Sequence, residues 1–117
     1  RGLIEADKDG QFSFWTVLPE AYPVPTDGPV GQMLVNTGRH AWRPAHIHFM
    51  VKAEGYQPLI THIFREGDKY LDSDVVFGVR PSLVGKFQSH AAGTAADGRA
   101  MQKQYWTLDY SFALQAK

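Results

Sequence analysis

The residues with the clearest chemical potential are His46 and His48, in the run Ala45-His46-Ile47-His48-Phe49-Met50-Val51. On a β-strand, side chains at i and i+2 leave the same face with Cα atoms about 7 Å apart, so both imidazoles can reach one metal ion. A pair of solvated surface histidines would have the same spacing, and the H-x-H pattern alone does not decide between the two. Arg43 lies just upstream and Pro44 stiffens the approach to the strand. Tyr22 sits at the centre of a Pro-rich loop, and His62 falls on the next strand-like run. The chain has no cysteine, so a thiolate site, a thiol nucleophile and a disulfide framework are all excluded. Any metal must be held by nitrogen and oxygen.

The elements that position these groups read as strands. His46 to Val51 has period two, with Ile47, Phe49 and Val51 on the core face. A Gly55-Tyr56-Gln57-Pro58 turn then leads into a second strand, Leu59 to Phe64, which predicts a hairpin or meander. Leu3 to Ala6 and Gln11 to Leu18 flank an Asp7-Lys8-Asp9-Gly10 turn signal and predict another hairpin closed by Gly10 at positive φ. The strict alternation of Trp106, Leu108, Tyr110, Phe112 and Leu114 predicts a long closing strand over Gln104 to Leu114. Val75 to Val79 reads as a short apolar strand, and His90 to Gly98 as a surface loop. The prolines at 19, 23, 25 and 29, with Gly28 and Gly31, argue against helix or central strand from Pro19 to Gly31, which reads instead as an ordered functional loop. With no convincing amphipathic helix, the expected fold class is all-β, a β-sandwich of mostly antiparallel strands.

Composition narrows the function. The 117 residues, 44% hydrophobic and 21% charged, fit one globular domain. Twelve basic residues balance twelve acidic ones, so there is no basic field to hold a nucleic-acid backbone. No apolar stretch approaches the length of a membrane span, and the chain reads as soluble and cytoplasmic. It opens at Arg1 directly before a strand-like run, which predicts a domain truncated at its N-terminus.

Three strings carry a family resemblance: YPVPTDGPVGQML (Tyr22 to Leu34), GRHAWRPAHIHFMV (Gly38 to Val51) and GDKYLDSDVVFGV (Gly67 to Val79). Together they resemble the intradiol ring-cleaving dioxygenases, and the likeness runs through nearly the whole chain. It implies a catalytic β-sandwich domain over residues 1–117 holding a mononuclear Fe(III) cofactor between two tyrosinates and two histidines. The positions matching that set are Tyr22, His46 and His48, with the family's first tyrosine expected upstream of Arg1. Phenolate and imidazole donors favour the ferric state. The implied partners are a small aromatic diol or triol and O2, the full-length form being a homodimer. Arg43 matches an arginine whose fixed charge can stabilise carbanion character on the activated ring.

By the same resemblance His62 has a supporting catalytic role, and its T-H-I-F string, with the D-S-D-V-V-F-G-V string, points to the hydroxyquinol branch. The implied reaction opens benzene-1,2,4-triol to maleylacetate, with catechol and chlorocatechol as alternative substrates. Val75 to Val79 corresponds to the family's substrate-selecting wall. Two readings from other classes stand beside this one: a truncated binding domain that keeps the fold without catalysis, and a transthyretin-like carrier module. Read as a purely structural residue, Arg43 would pair with Asp27 or Glu54. Tyr56, Tyr70, Tyr105 and Tyr110 read as packing or surface residues, and His40 and His90 as solvated and unpartnered.

Overall fold

A computed structural model describes residues 1–117. The strongest element is the hairpin expected around the histidines. β3 (His46–Val51) and β4 (Leu59–Arg65) pair antiparallel, placing His48 opposite His62, His46 opposite Phe64 and Ile47 opposite Ile63. Because side chains alternate along both strands, this register gives one face to His46, His48, His62 and Phe64. The other face takes Ile47, Phe49, Thr61 and Ile63. Ile63 and Phe64 are both fully buried, so the end of β4 is packed on both sides. β4 also pairs in parallel with β5 (Val84–Gly85), which follows a single 3-10 turn at Pro81–Leu83.

Upstream, β1 (Tyr22–Pro23) pairs antiparallel with β2 (Trp42–Arg43), setting Tyr22 directly across from Arg43. Between them runs the one α-helix, α1 (Pro29–Asn36), where no helix was expected. Its first residue explains the difference. Proline at the first helical position lacks only an N–H that would have no partner in any case, and its fixed φ suits a helix start. The helix ends in a Schellman motif: Gly38, at φ 65°, donates to the Val35 carbonyl while Arg39 donates to Leu34. Gly31 and Leu34 are the residues that α1 buries.

Downstream, β6 (Gln88–His90) pairs antiparallel with β9 (Tyr105–Thr107), and β7 (Gly93–Thr94) with β8 (Ala100–Met101). The loop expected over His90 to Gly98 thus gives His90 to β6 and supplies β7, one strand of a small ribbon. The chain is mostly strand with little helix, in four small sheets.

Three expected strands are not strands. The Asp7–Gly10 turn closes, with Asp7 N–H donating to the Gln11 carbonyl, but Leu3 to Ala6 and Gln11 to Leu18 form no ladder beyond it. Of Gln104 to Leu114, only Tyr105–Thr107 finds a partner strand. Past it the alternation persists in burial, Leu108, Tyr110, Phe112 and Leu114 being half-buried and Asp109, Ser111 and Ala113 exposed. Alternation specifies which face packs; a strand also needs a neighbour for its N–H and C=O groups, which pattern does not supply. Phe12 instead packs on Phe49 and Phe112 through its ring. Val75 to Val79 is a turn rather than a strand, for a reason that belongs to the site below.

Only 11 of 117 residues are buried, and the radius of gyration is 17.2 Å against about 13 Å for a compact domain of this length. No helix is long and apolar enough to cross a membrane.

Candidate functional site

The four elements around the histidine face bring five side chains to one place. Tyr22 arrives on β1, Arg43 on β2, His46 and His48 on β3, and His62 on β4. The start of β3 is fixed by Asp68, whose carboxylate accepts from the Ala45 N–H at 3.0 Å and the Tyr70 N–H at 2.9 Å. Phe64 forms the floor: its ring lies 5.5 Å from that of His46, 4.7 Å from that of His62 and 5.8 Å from the Arg43 guanidinium.

His46 is the hub. Its Nδ1 stands 2.6 Å from the Pro44 carbonyl oxygen. A carbonyl only accepts, so Nδ1 carries the proton and Nε2 presents its lone pair inward. Facing that lone pair are Arg43 Nη1 at 3.1 Å, His48 Nε2 at 3.1 Å and the Tyr22 hydroxyl at 3.4 Å. Burial first, and then the neighbouring Arg43 charge, hold His46 below the usual imidazole pKa, with the Pro44 bond opposing them. A neutral imidazole with a fixed tautomer is the form that ligates a metal.

No three His, Asp or Glu side chains gather as a metal-binding group. What gathers is a phenol and two imidazoles. Two nitrogens held by one first-row ion at about 2.1 Å each stand about 3 Å apart at a right angle, which the 3.1 Å separation of the His46 and His48 Nε2 atoms matches. The donor set is of the type that suits a trivalent iron.

His62 is turned elsewhere. Its Nε2 lies 3.4 Å from Arg43 Nη2 and beside Gly78, rather than at the point where Tyr22, His46 and His48 meet. Burial, then Arg43, then His48 and His46, hold it too below the usual imidazole pKa.

Arg43 is buried and makes its ion pair with neither Asp27 nor Glu54. It pairs with Asp74: Nε donates to Oδ1 at 3.1 Å and Nη2 to Oδ2 at 3.2 Å. Burial opposes both charges, yet the pair holds the Arg43 pKa above its usual value and that of Asp74 below the carboxylate range. The same carboxylate accepts from the Gly78 N–H at 2.8 Å and the Val76 N–H at 3.4 Å, which winds Val75 to Val79 into a turn. His40 and His90 also have partners, Ser73 Oγ at 2.9 Å and Thr107 Oγ1 at 2.8 Å.

Residues 1–116 match the profile of the family described as Dioxygenase. The chain is 53% identical over 114 residues to 6-chlorohydroxyquinol 1,2-dioxygenase of Cupriavidus pinatubonensis, an overlap of 97% of this chain and 37% of that protein. This chain belongs to the intradiol ring-cleaving dioxygenase family. Among solved structures, hydroxyquinol 1,2-dioxygenase from Pseudomonas putida superimposes with a TM-score of 0.85 at 49% identity, covering 96% of this chain and 40% of that one. Catechol 1,2-dioxygenase from an Acinetobacter species gives a TM-score of 0.86 at 34% identity, covering 94% and 36%. The chain thus spans about two fifths of the length of these relatives.

Of this cluster, sequence reasoning named Tyr22, Arg43, His46, His48 and His62; the structure gathers the first four, with His62 turned toward Arg43. It missed Asp74 and Phe64. Phe64 was marked only by its place two residues after His62 on the same face of β4. Asp74 was hidden, because the run offers Asp72 and Asp74 equally and only folding shows which one is 3% exposed.

Proposed function

We propose that this chain is the iron-holding, catalytic β-sandwich unit of an Fe(III)-dependent intradiol dioxygenase that opens hydroxyquinol, with catechol and chlorocatechol as the alternative ring substrates. The observation that carries it is the approach of the Tyr22 hydroxyl, at 3.4 Å, and of His48 Nε2, at 3.1 Å, to His46 Nε2 beside the Arg43 guanidinium. A carrier module has no need of such a set. The substrate class is supported by the names of the relatives that match most of this chain, which act on hydroxyquinols.

Tyr22, His46 and His48 would hold the iron, which supplies Lewis acidity toward a chelating aromatic diolate. The rest falls to the chain. His46 keeps its proton on Nδ1, held by Pro44, so that Nε2 is the nitrogen whose lone pair can ligate. Arg43 presents a charge that cannot be neutralised, from a buried and clamped position, and steadies electron density accumulating on the ring. His62, kept neutral beside Arg43, adds no second positive charge and offers a nitrogen lone pair to the guanidinium. The exposed Val76 and Phe77 side chains face outward from the turn as the wall that meets ring substituents. The ring loses one C–C bond and gains two oxygen atoms, so diol plus O2 balances to a dicarboxylic acid with no further reductant. The full-length enzyme acts as a cytoplasmic homodimer.

Visible absorption of the full-length protein loaded with ferric ion tests the reading, together with oxygen uptake on adding hydroxyquinol. Red-brown tyrosinate colour that weakens in Tyr22→Phe, with uptake that fails in His46→Gln, is the expected result. A colourless protein that takes up iron at no more than the level of His46→Gln would favour a binding domain without catalysis.

A further inference from the structure

The guanidinium of Arg43 has five N–H donors in a rigid plane. Asp74 takes the edge formed by Nε and Nη2. Clamping one edge of a planar group aims the opposite one, and the remaining donors on Nη1 and Nη2 point at the Nε2 atoms of His46 and His62. The carboxylate has a second duty. Its bonds to the Val76 and Gly78 N–H groups, with the Phe77 N–H donating to the Asp74 carbonyl at 2.9 Å, hold Phe77 at φ 55°, a conformation that a bulky residue rarely adopts. No space is left between the turn and the arginine. A Cβ on Gly78 would stand 3.1 Å from Arg43 Nη2, from Asp74 Oδ2 and from His62 Nε2.

We propose that Asp74 is a positioning residue for ring opening: one buried carboxylate aims Arg43 at the histidine cluster and ties it to the Val75–Val79 wall. Ring selectivity and turnover rate are thereby coupled through it. The inference rests on this site being the reaction centre. It follows that a ring substituent pressing on Val76 or Phe77 is felt at Arg43, and that loosening Asp74 changes both rate and substrate preference. Arg39, whose guanidinium lies 4.3 Å over the Phe77 ring and donates to the Val75 carbonyl at 2.7 Å, braces the turn from its far side.

The test uses the full-length iron-loaded protein as Asp74→Asn, Arg43→Lys and the double variant. Asp74→Asn should retain iron and tyrosinate colour, lose about 10- to 100-fold in kcat and keep KM within about threefold, since aim rather than binding is lost. The hydroxyquinol-to-catechol preference should shift by about threefold or more. The double variant should fall little below Arg43→Lys alone, because the two act as one unit. Independent of turnover, the Arg43 Nε–H should exchange slowly with solvent by nitrogen-15 NMR in the metal-free protein and quickly in Asp74→Asn. Turnover of Asp74→Asn within about twofold of the unaltered protein, multiplicative losses in the double variant, or a fast-exchanging Nε–H in the unaltered protein each overturn the role. If Asp74→Asn does not fold, Gly78→Ala takes its place: it pushes into the same triangle without removing the carboxylate, and full turnover there refutes the proposal. An unaltered protein that opens neither substrate refutes the functional reading itself, whereas loss confined to the predicted exchange and coupling refutes Asp74 alone.

Discussion

Replacing Arg43 by lysine keeps the charge but removes the fork. The ammonium of lysine is a point donor and cannot make two parallel bonds to Asp74 while also presenting donors to the histidine cluster. Arg43 and Asp74 are 6% and 3% exposed, so the bonds at 3.1 and 3.2 Å lie where solvent screens little. A hydrogen bond to a charged group contributes about 1.5–3 kcal/mol, and the retained charge spares Asp74 the larger cost of standing unpaired. The expected loss of stability is therefore about 1.5–3 kcal/mol, or a Tm fall on the order of 5–15 °C for a domain of this size. Activity should suffer more. Losing one preorganised donor at a site of developing negative charge typically lowers kcat by about 10²–10³-fold. Thermal unfolding followed by circular dichroism reads the first quantity, and oxygen uptake with hydroxyquinol at matched iron content reads the second. A variant that melts as expected but turns over within about threefold of the unaltered protein would show that Arg43 only braces the fold, and the electrostatic argument would fail.

Phe64 is fully buried beneath His46, His62 and Arg43. Phe64→Ala should cost about 3–5 kcal/mol in urea unfolding, and a loss below about 1 kcal/mol would mean that it is not the floor of the site. Acid stability should reveal Asp74. Its folded pKa lies below the ordinary 3.8 because the Arg43 and backbone hydrogen bonds outweigh the opposing effect of burial. The stability it contributes is thus complete above pH 3.8 and is lost as pH falls through the lower folded value. His46 and His62, with folded pKa values lowered chiefly by burial, lose their contribution earlier, as pH falls below the ordinary 6.5. Urea midpoints of the unaltered protein and Asp74→Asn should accordingly differ by a constant amount near neutrality and converge below pH 3.8. Parallel curves throughout that acid range would place the charge of Asp74 outside the balance.

The β3 and β4 strands and the face carrying His46, His48 and His62 were legible in the sequence, because alternation in a half-buried hairpin is a local signal that folding preserves. Tyr22 and Arg43 were legible too, through the strings that resemble the family. Local signals misled at Leu3 to Ala6 and Gln11 to Leu18, which flank a turn signal, and at Gln104 to Leu114, where alternation is strict. Over Leu108 to Leu114 the side chains pack as the alternation says, whereas Leu3 to Ala6 and Gln11 to Val17 stay exposed, and ladder partners are absent for most of each run. Helix α1 was hidden by prolines that argue against it, although the one at its first position favours a helix start. Only the tertiary structure chose Asp74 over Asp27 and Glu54 as the partner of Arg43, turned His62 toward the arginine, and folded Val75 to Val79 into a turn rather than a strand. A bidentate ion pair spanning 31 positions of sequence leaves no periodic trace. It exists because chain closure brings one carboxylate of several into a place where burial makes the pairing count.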